Sequence, residues 1–362
     1  MEAKSTESIR PLFDQVIEQS HWHPVASLQA LGLGTHSNSS VAPVAVKLLD
    51  QDLVLWRDLS GAVHAFADQC PHRGARLSLG RLVNDRLECA YHGWQFDAQA
   101  QCRLIPATPD LTPTASLKAC AYETRLAYDL VWVRMKPAAL SSATGEAAQP
   151  NPNLALPMFA AEAEDRLRKT SCGPYWVDTS APRIVENFLD MAHFGYVHEH
   201  WLGDRTHTAQ APYSVRDTDT GLLATQCFAW QPKSSVHATG GSMVEYTYEV
   251  VSPYCAVLTK VPEPTQVAIA DFKESIALFV CPVEPERSLV WFRLAMNDFT
   301  SPDQAVRTFQ ETIFSQDKPV LESQRPKRLP LDPKAEMHSA ADKASVSYRR
   351  YLKRLGIQFG VC

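Results

Sequence analysis

Apolar positions recur along the chain with two different periods. Between residues 37 and 140 the runs are short and strand-like. Val44, Val46 and Leu48 alternate with their neighbours, and Leu53 to Arg57 and Val63 to Phe66 flank Leu59-Ser60-Gly61, which reads as a hairpin turn. Leu87 to Tyr91, Trp94 to Phe96 and Leu130 to Arg134 continue the series. Short strands at close intervals predict a small antiparallel β domain. Ahead of it, Ile9, Leu12, Phe13 and Val16 stand near helical spacing, which predicts a short amphipathic helix over residues 6 to 18.

Residues 136 to 157 (KPAALSSATGEAAQPNPNLALP) have no period and are rich in Pro, Ala, Ser and Asn, the composition of a linker. Beyond it the pattern mixes. A helix is predicted from Pro182 to about His200. Val244, Tyr246, Tyr248 and Val250 alternate with polar residues as in a half-buried strand. Ser275 to Val283 and Ser288 to Ala295 bracket a second hairpin, and residues 303 to 324 and 339 to 355 read as helices, the last with Tyr348, Tyr351 and Leu352 on one side. The expected organisation is therefore α+β in two domains, 1–140 and 157–362, joined by a linker at 141–156.

Composition narrows the function. Hydrophobic residues at 45% and charged residues at 21% supply sizeable cores and exclude wholesale disorder. With 35 Lys and Arg against 40 Asp and Glu, the net charge of −5 gives no basic excess for a nucleic-acid backbone. No apolar run is long enough to span a bilayer, and the first twenty residues lack the apolar core of a secretory signal. An odd count of nine cysteines in a chain this long argues against a disulfide scaffold and for thiols or metal ligands in a reducing cytoplasm. Six of them, Cys102, Cys120, Cys172, Cys227, Cys255 and Cys281, are isolated and read as ordinary free thiols.

The other motifs carry chemistry. Cys70-x-His72 is followed, with sixteen residues between, by Cys89-x-x-His92. Two thiolates and two imidazoles admit a structural zinc or a [2Fe–2S] cluster with both cysteines on one iron and both histidines on the other. Gly74 and Gly93 stand close behind the pairs, where backbone amides can approach cluster sulfurs, and the β surroundings suit a ββα zinc finger poorly. The second constellation is Asp190-x-x-His193-x-x-x-x-His198. Asp190 and His193 share a helical face. On a straight helix His193 and His198 stand about 140° apart, so chelation by both needs a kink or widening, which Gly195 between them would tolerate. Two histidines and a carboxylate form the facial triad of a non-heme Fe(II) oxygenase, leaving coordination positions for O₂ and water.

The two constellations in this order resemble the terminal oxygenase (alpha) subunit of Rieske non-heme iron oxygenases, over nearly the whole chain. His21-Trp22-His23-Pro24, Gly93-Trp94-Gln95 and Ala341-Asp342-Lys343 are most similar to the branch that removes N- or O-methyl groups, purine N-demethylases above all. The resemblance implies a small antiparallel Rieske domain followed by a helix-grip, START-like catalytic domain. It implies a cluster on Cys70, His72, Cys89 and His92, and iron on His193, His198 and Asp317, with Glu322 as the alternative third ligand. It also implies that Asp190 bridges His193 to His92 of a neighbouring subunit. The implied assembly is a homotrimer or hexamer, or a hetero-oligomer with a related subunit. Electrons would come from NAD(P)H through a separate ferredoxin-like reductase, since no nucleotide-binding glycine motif follows a strand here. Arg73, Arg76 and Arg81 form either a basic rim for that donor or a solvated surface. The implied substrate is a small aromatic or heteroaromatic, with O₂ used to oxidise a methyl group that leaves as formaldehyde. Arene hydroxylation by the same centre is the alternative, and an electron-transfer or structural zinc protein without mononuclear iron is the reading from a different class. Pocket walls are expected from strands between about Gln210 and Ala295 and from the helix carrying Phe194.

Overall fold

Ten short strands follow one another between residues 23 and 134 of the computed structural model. They are β1 (His23–Ser27), β2 (Val44–Leu48), β3 (Gln51–Arg57), β4 (Val63–Ala67), β5 (Arg81–Val83), β6 (Arg86–Glu88), β7 (Gln95–Phe96), β8 (Cys102–Leu104), β9 (Ala121–Ala127) and β10 (Leu130–Arg134). The structure describes residues 17–33, 42–136, 155–235, 237–264, 269 and 272–362. One antiparallel sheet runs β1-β10-β9-β4-β3-β2 and a smaller one β5-β6-β7-β8. Trp56, Phe66, Leu87 and Phe96 fill the core between them. The β3–β4 turn closes where expected, with Gly61 at φ +88° and its N–H on the Asp58 carbonyl.

The remaining strands are β11 (Arg168–Val177), β12 (Ser214–Asp217), β13 (Leu222–Gln231), β14 (Ser242–Ser252), β15 (Cys255–Pro262), β16 (Glu274–Glu284) and β17 (Arg287–Met296). They form one antiparallel sheet in the order β11-β17-β16-β15-β14-β13-β12. Among the described residues, four α-helices accompany it: α1 (Ala181–Phe188), α2 (Phe194–Val197), α3 (Asp303–Ser323) and α4 (Lys343–Leu355). Side chains of β16 show how the layers stack. Ile276, Leu278 and Val280 join the core shared with the helices, whereas Ala277, Phe279 and Cys281 join a core shared with Trp132, Val131 and Leu55 of the first sheet. A strand covered on both faces reads as a continuous apolar run, which is why this segment shows no alternation. On β14 the expected alternation is present, with Val244, Tyr246, Tyr248 and Val250 buried.

The two halves meet through main-chain bonds as well as through that core. Leu49 and Asp50 N–H groups reach the Pro282 and Val283 carbonyls at 2.8 and 2.9 Å. Glu18 accepts from the Gln358 and Phe359 amides at 2.6 and 2.7 Å, pinning the start of the described chain to its end. Most of the expected linker, and Ile9, Leu12, Phe13 and Val16 of the expected first helix, lie outside the described residues. Residues 17–20 form a single 3₁₀ turn.

The helix expected from Pro182 to His200 is instead two pieces. Leu189 to His193 interrupt it, because Asp190 turns its carboxylate back onto the Ala192 N–H at 2.8 Å and so ends the α1 ladder. Asp190 therefore lies between helices and not on a helical face. Gly195 does not make the break: it lies inside α2, where a Cβ would stand 3.0 Å from the Asp204 carbonyl oxygen and Thr208 Cγ2. Its small size admits the 203–208 segment.

A buried charge network fixes α1 against α4. Arg349 donates to both Glu186 oxygens at 2.6 and 2.8 Å and to Glu336 at 2.5 Å, and Arg183 also binds Glu336. Arg349→Met should leave Glu186 with only the Arg183 contact at 3.5 Å, costing about 3–5 kcal/mol and on the order of 10 °C in Tm. A thermal melt followed by circular dichroism checks this; an unchanged Tm would show the network to be dispensable.

Candidate active site

Both Cys-His pairs sit on loops of the first domain, one between β4 and β5, the other between β6 and β7. The loops close in the same way. Cys70 N–H binds the Ala75 carbonyl at 2.8 Å and Gly74 N–H returns to Cys70 at 2.9 Å; Cys89 N–H binds the Trp94 carbonyl at 2.8 Å and Gly93 N–H returns to Cys89 at 3.0 Å. Gly74 and Gly93 stand at φ +72° and +70°, in the left-handed region where a side chain is strained. Cys70 and Cys89 are both buried and their thiols are in contact, while the His72 and His92 rings meet at 4.6 Å between centroids. Trp94 stacks on His72 at 4.5 Å. Burial pushes the Cys70 thiol above its ordinary value, against the opposing pull of the nearby His72 and Arg73 backbone amides. Two sulfurs beneath two imidazoles, with amides near sulfur, is a donor set that fits a Rieske cluster.

The second site lies where α1, α2 and α3 meet the large sheet. His193 and His198 flank the single turn of α2, His193 entering at ψ −16° and His198 leaving at φ −110°, ψ +32°. Their Nε2 atoms come within 3.2 Å. Asp317, projecting from α3, places Oδ1 3.4 Å from His193 Nε2 and 3.3 Å from His198 Nε2. Asp190 accepts from His193 Nδ1 at 3.0 Å, and Gln316 Oε1 accepts from His198 Nδ1 at 2.8 Å. These partners assign the Nδ1–H tautomer to both rings. Each neutral Nε2 is then a lone-pair acceptor, so three acceptors face one point with no proton between them. A bound cation reconciles that arrangement, and two nitrogens with one carboxylate suit iron. Burial opposes ionisation of Asp190, yet the His193 N–H and the Ala192 amide outweigh it and hold its carboxyl below the usual range.

Glu322 is elsewhere: it accepts the Asp178 N–H at 3.0 Å and pairs with Lys318. Among the described residues, Asp190 has no hydrogen bond to His92 within one chain. Arg76 and Arg81 are spent on Asp52 and Glu88, which leaves Arg73, exposed, without an ion pair among the described residues. His237, which had no partner by sequence, binds Asp298 at 2.6 Å.

A cavity opens beside the three acceptors. The expected strands supply Tyr246, Tyr248, Leu258, Ile276 and Phe292, and Phe194 comes from α2. Lys260 also comes from the expected strands, whereas sequence reasoning missed the α3 wall of Phe309, Gln310, Ile313 and Phe314, together with Asn187. A signal for α3 was present. Gln310, Ile313, Phe314, Asp317 and Leu321 are buried at helical spacing, and a polar residue within such an apolar stripe needs a partner or a function. Gln316, beside Asp317, was equally visible in sequence, but its role needed the third dimension.

A β domain with a cluster-type donor set, joined to a helix-covered sheet domain whose helices hold two histidines and a carboxylate over an aromatic cavity, defines an oxygenase that receives electrons at one centre and uses them at another. Comparison with known proteins agrees. The Rieske [2Fe-2S] domain family matches residues 21–118, and the vanillate O-demethylase oxygenase C-terminal domain matches residues 177–357. Methylxanthine N1-demethylase NdmA of Pseudomonas putida is 31% identical over 335 residues, 92% of this chain and 88% of that one. The structure of Pseudomonas putida NdmA with caffeine superposes with a TM-score of 0.75 at 29% identity, over 92% of this chain and 90% of that one. Dicamba monooxygenase bound to dicamba, at 22% identity, shares the fold with a TM-score of 0.71 over 94% and 98% of the two chains. The chain belongs to the Rieske non-heme iron oxygenases, in the N-/O-demethylase branch. It is the terminal oxygenase of a multicomponent system, an oxidoreductase carrying a [2Fe–2S] cluster and a mononuclear iron. Among the described residues, no helix is long and apolar enough to cross a membrane.

Proposed function

We propose that this oxygenase removes an N-methyl group from a methylated heteroaromatic compound. The observation that carries the reading is the aromatic-walled cavity opening onto His193, His198 and Asp317, in a chain 31% identical to a methylxanthine N-demethylase. Cys70 and Cys89 with His72 and His92 hold the cluster, and His193, His198 and Asp317 hold the iron. The bound cluster supplies electrons and the bound iron activates O₂ for oxidation of the methyl carbon. The chain's own residues do the rest. Asp190 and Gln316 fix the two imidazoles by their Nδ1–H groups. Phe188, Phe194 and Phe292 line the cavity with apolar aromatic surface suited to a planar ring.

The division at 141–156 separates an electron-receiving domain from a catalytic one. Asp190 is placed to accept a second imidazole N–H, from His92 of a neighbouring subunit, in a closed ring of heterologous contacts. A homotrimer fits such a ring, as does a hexamer or a hetero-oligomer with a related subunit. The donor is a ferredoxin-like reductase using NAD(P)H, in a reducing cytoplasm consistent with nine unpaired cysteines.

The test is a screen of N-methylated purinediones and O-methylated benzoates with a surrogate reductase, NADH and O₂. Formaldehyde in step with the demethylated heterocycle is expected. A ring-hydroxylated product without formaldehyde would replace demethylation by arene hydroxylation.

A further inference from the structure

We propose that Lys260, backed by Glu274, is the specificity-determining donor at the end of the cavity remote from the iron ligands, and that it selects an uncharged ligand bearing a carbonyl or ring-nitrogen acceptor. This rests on the demethylase reading and adds to it the polarity and charge of the substrate.

The placement follows from register. Tyr246, Lys260, Glu274 and Met296 stand directly opposite one another across β14, β15, β16 and β17, and so share one face and one row. The next row on that face contains Leu258 and Ile276, and the one after it Leu278 and Phe292. Helix α3 crosses these rows in order. Phe309 borders the same small cavity as Glu274 and Met296, and Phe314 meets Phe292 at 5.1 Å between ring centroids. Asp317 lies further along the same helix, about 10 Å of rise beyond Gln310. The cavity is thus a slot: iron ligands at one end, apolar rows between, and one charged pair at the other end.

That pair is built for contact. Lys260 and Glu274 are 4% and 6% exposed and their ion pair is 2.5 Å long. Lys260 Nζ also donates to the Ser234 carbonyl at 2.9 Å. An ammonium has three N–H groups, so among the described residues one remains, and Lys260 lines the main cavity. Glu274 instead lines a separate small crevice with Phe272, Leu294 and Met296. The carboxylate cancels the charge from behind while the ammonium faces the ligand. A buried ion pair adds little stability that apolar residues would not supply, so its presence on a cavity wall points to recognition. A carbonyl oxygen takes the remaining N–H at full strength in this low-dielectric slot. A carboxylate must shed its water beside Glu274 with no net positive charge to receive it.

The test is equilibrium dialysis of the anaerobic, metal-loaded protein against three probes: caffeine, with two carbonyls; 1-methylindole, with none; and 4-methoxybenzoate, an anion. Wild type is expected to prefer caffeine. Lys260→Met/Glu274→Met, which removes the pair without leaving a lone buried charge, should keep its melting temperature. It should lose about 10- to 100-fold in caffeine affinity and bind 1-methylindole as wild type does. Glu274→Gln, which leaves a lone cation, should bind 4-methoxybenzoate at least about tenfold more tightly than wild type. Caffeine affinity unchanged in the double variant, no binding of caffeine at all, or a wild-type preference for the benzoate would each overturn the assignment. The same probes, assayed for formaldehyde, separate the two readings. Formaldehyde from 4-methoxybenzoate with no caffeine binding leaves demethylation standing and removes the role of Lys260, whereas no formaldehyde from any methylated probe removes both.

Discussion

Asp317→Ala is expected to strip the mononuclear iron and abolish turnover while leaving the visible absorbance of the cluster intact. Oδ1 of this residue lies 3.4 and 3.3 Å from the two imidazole Nε2 atoms, so its removal takes away the only anionic member of the donor set. Asn187, whose amide donates to the same oxygen at 3.4 Å, cannot replace it as a charge. The loss should exceed the roughly 10- to 100-fold drop in iron affinity caused by removing an outer partner of a metal ligand. Glu322→Ala removes a bond to the Asp178 amide and an ion pair with Lys318, and should keep both iron and activity. Iron analysis beside the visible spectrum decides the matter. Iron retained in Asp317→Ala and lost in Glu322→Ala would move the third ligand to the other carboxylate.

Asp190→Asn is expected to give the opposite phenotype, with both metal centres present and turnover lost. Its carboxylate bonds the His193 Nδ1–H and the Ala192 amide. A second imidazole N–H arriving from a neighbouring subunit would need the capacity of a charged carboxylate, whereas an amide offers one acceptor oxygen and no charge. Chemical reduction of the cluster should therefore proceed normally, and its reoxidation under O₂ with substrate should slow sharply. Co-expression of Cys89→Ala, which lacks the cluster, with His193→Ala, which lacks the iron, should restore part of the activity because a mixed ring contains intact donor–acceptor pairs. If tagged co-purification shows mixed rings and no activity returns, each cluster serves its own chain.

Much of this architecture was legible in the sequence, and the exceptions have physical causes. Period-two alternation marked β14, and glycine-punctuated loops marked the cluster motifs, because one-faced burial and tight turns both leave local signatures. β16, covered on both faces, reads as a plain apolar run whose two partners cannot be told apart from sequence. The α1–α2 break was misplaced because Asp190 competes for the backbone through its own side chain, a local hydrogen bond stronger than the helical propensity around it. Spacing could name Asp190, His193 and His198, but Asp317 lies in a distant helix, where its place in an apolar stripe marks it only weakly and resemblance pointed to it. Lys260 and Glu274 were invisible for another reason. Each stands in an otherwise unremarkable strand, and their meaning arises only from a register that sets them side by side, with Lys260 on the cavity wall.

The most direct measurement is a single turnover without any reductase. Protein reduced at both its cluster and its iron, which together hold the two electrons that oxidation of one methyl group needs, freed of excess reductant and mixed with O₂ and an N-methylated purinedione, should release formaldehyde and the demethylated ring as its oxidised visible spectrum returns. Return of the oxidised spectrum with the purinedione unchanged, or hydroxylated on the ring without formaldehyde, would contradict the assignment of this chain as an N-demethylating oxygenase.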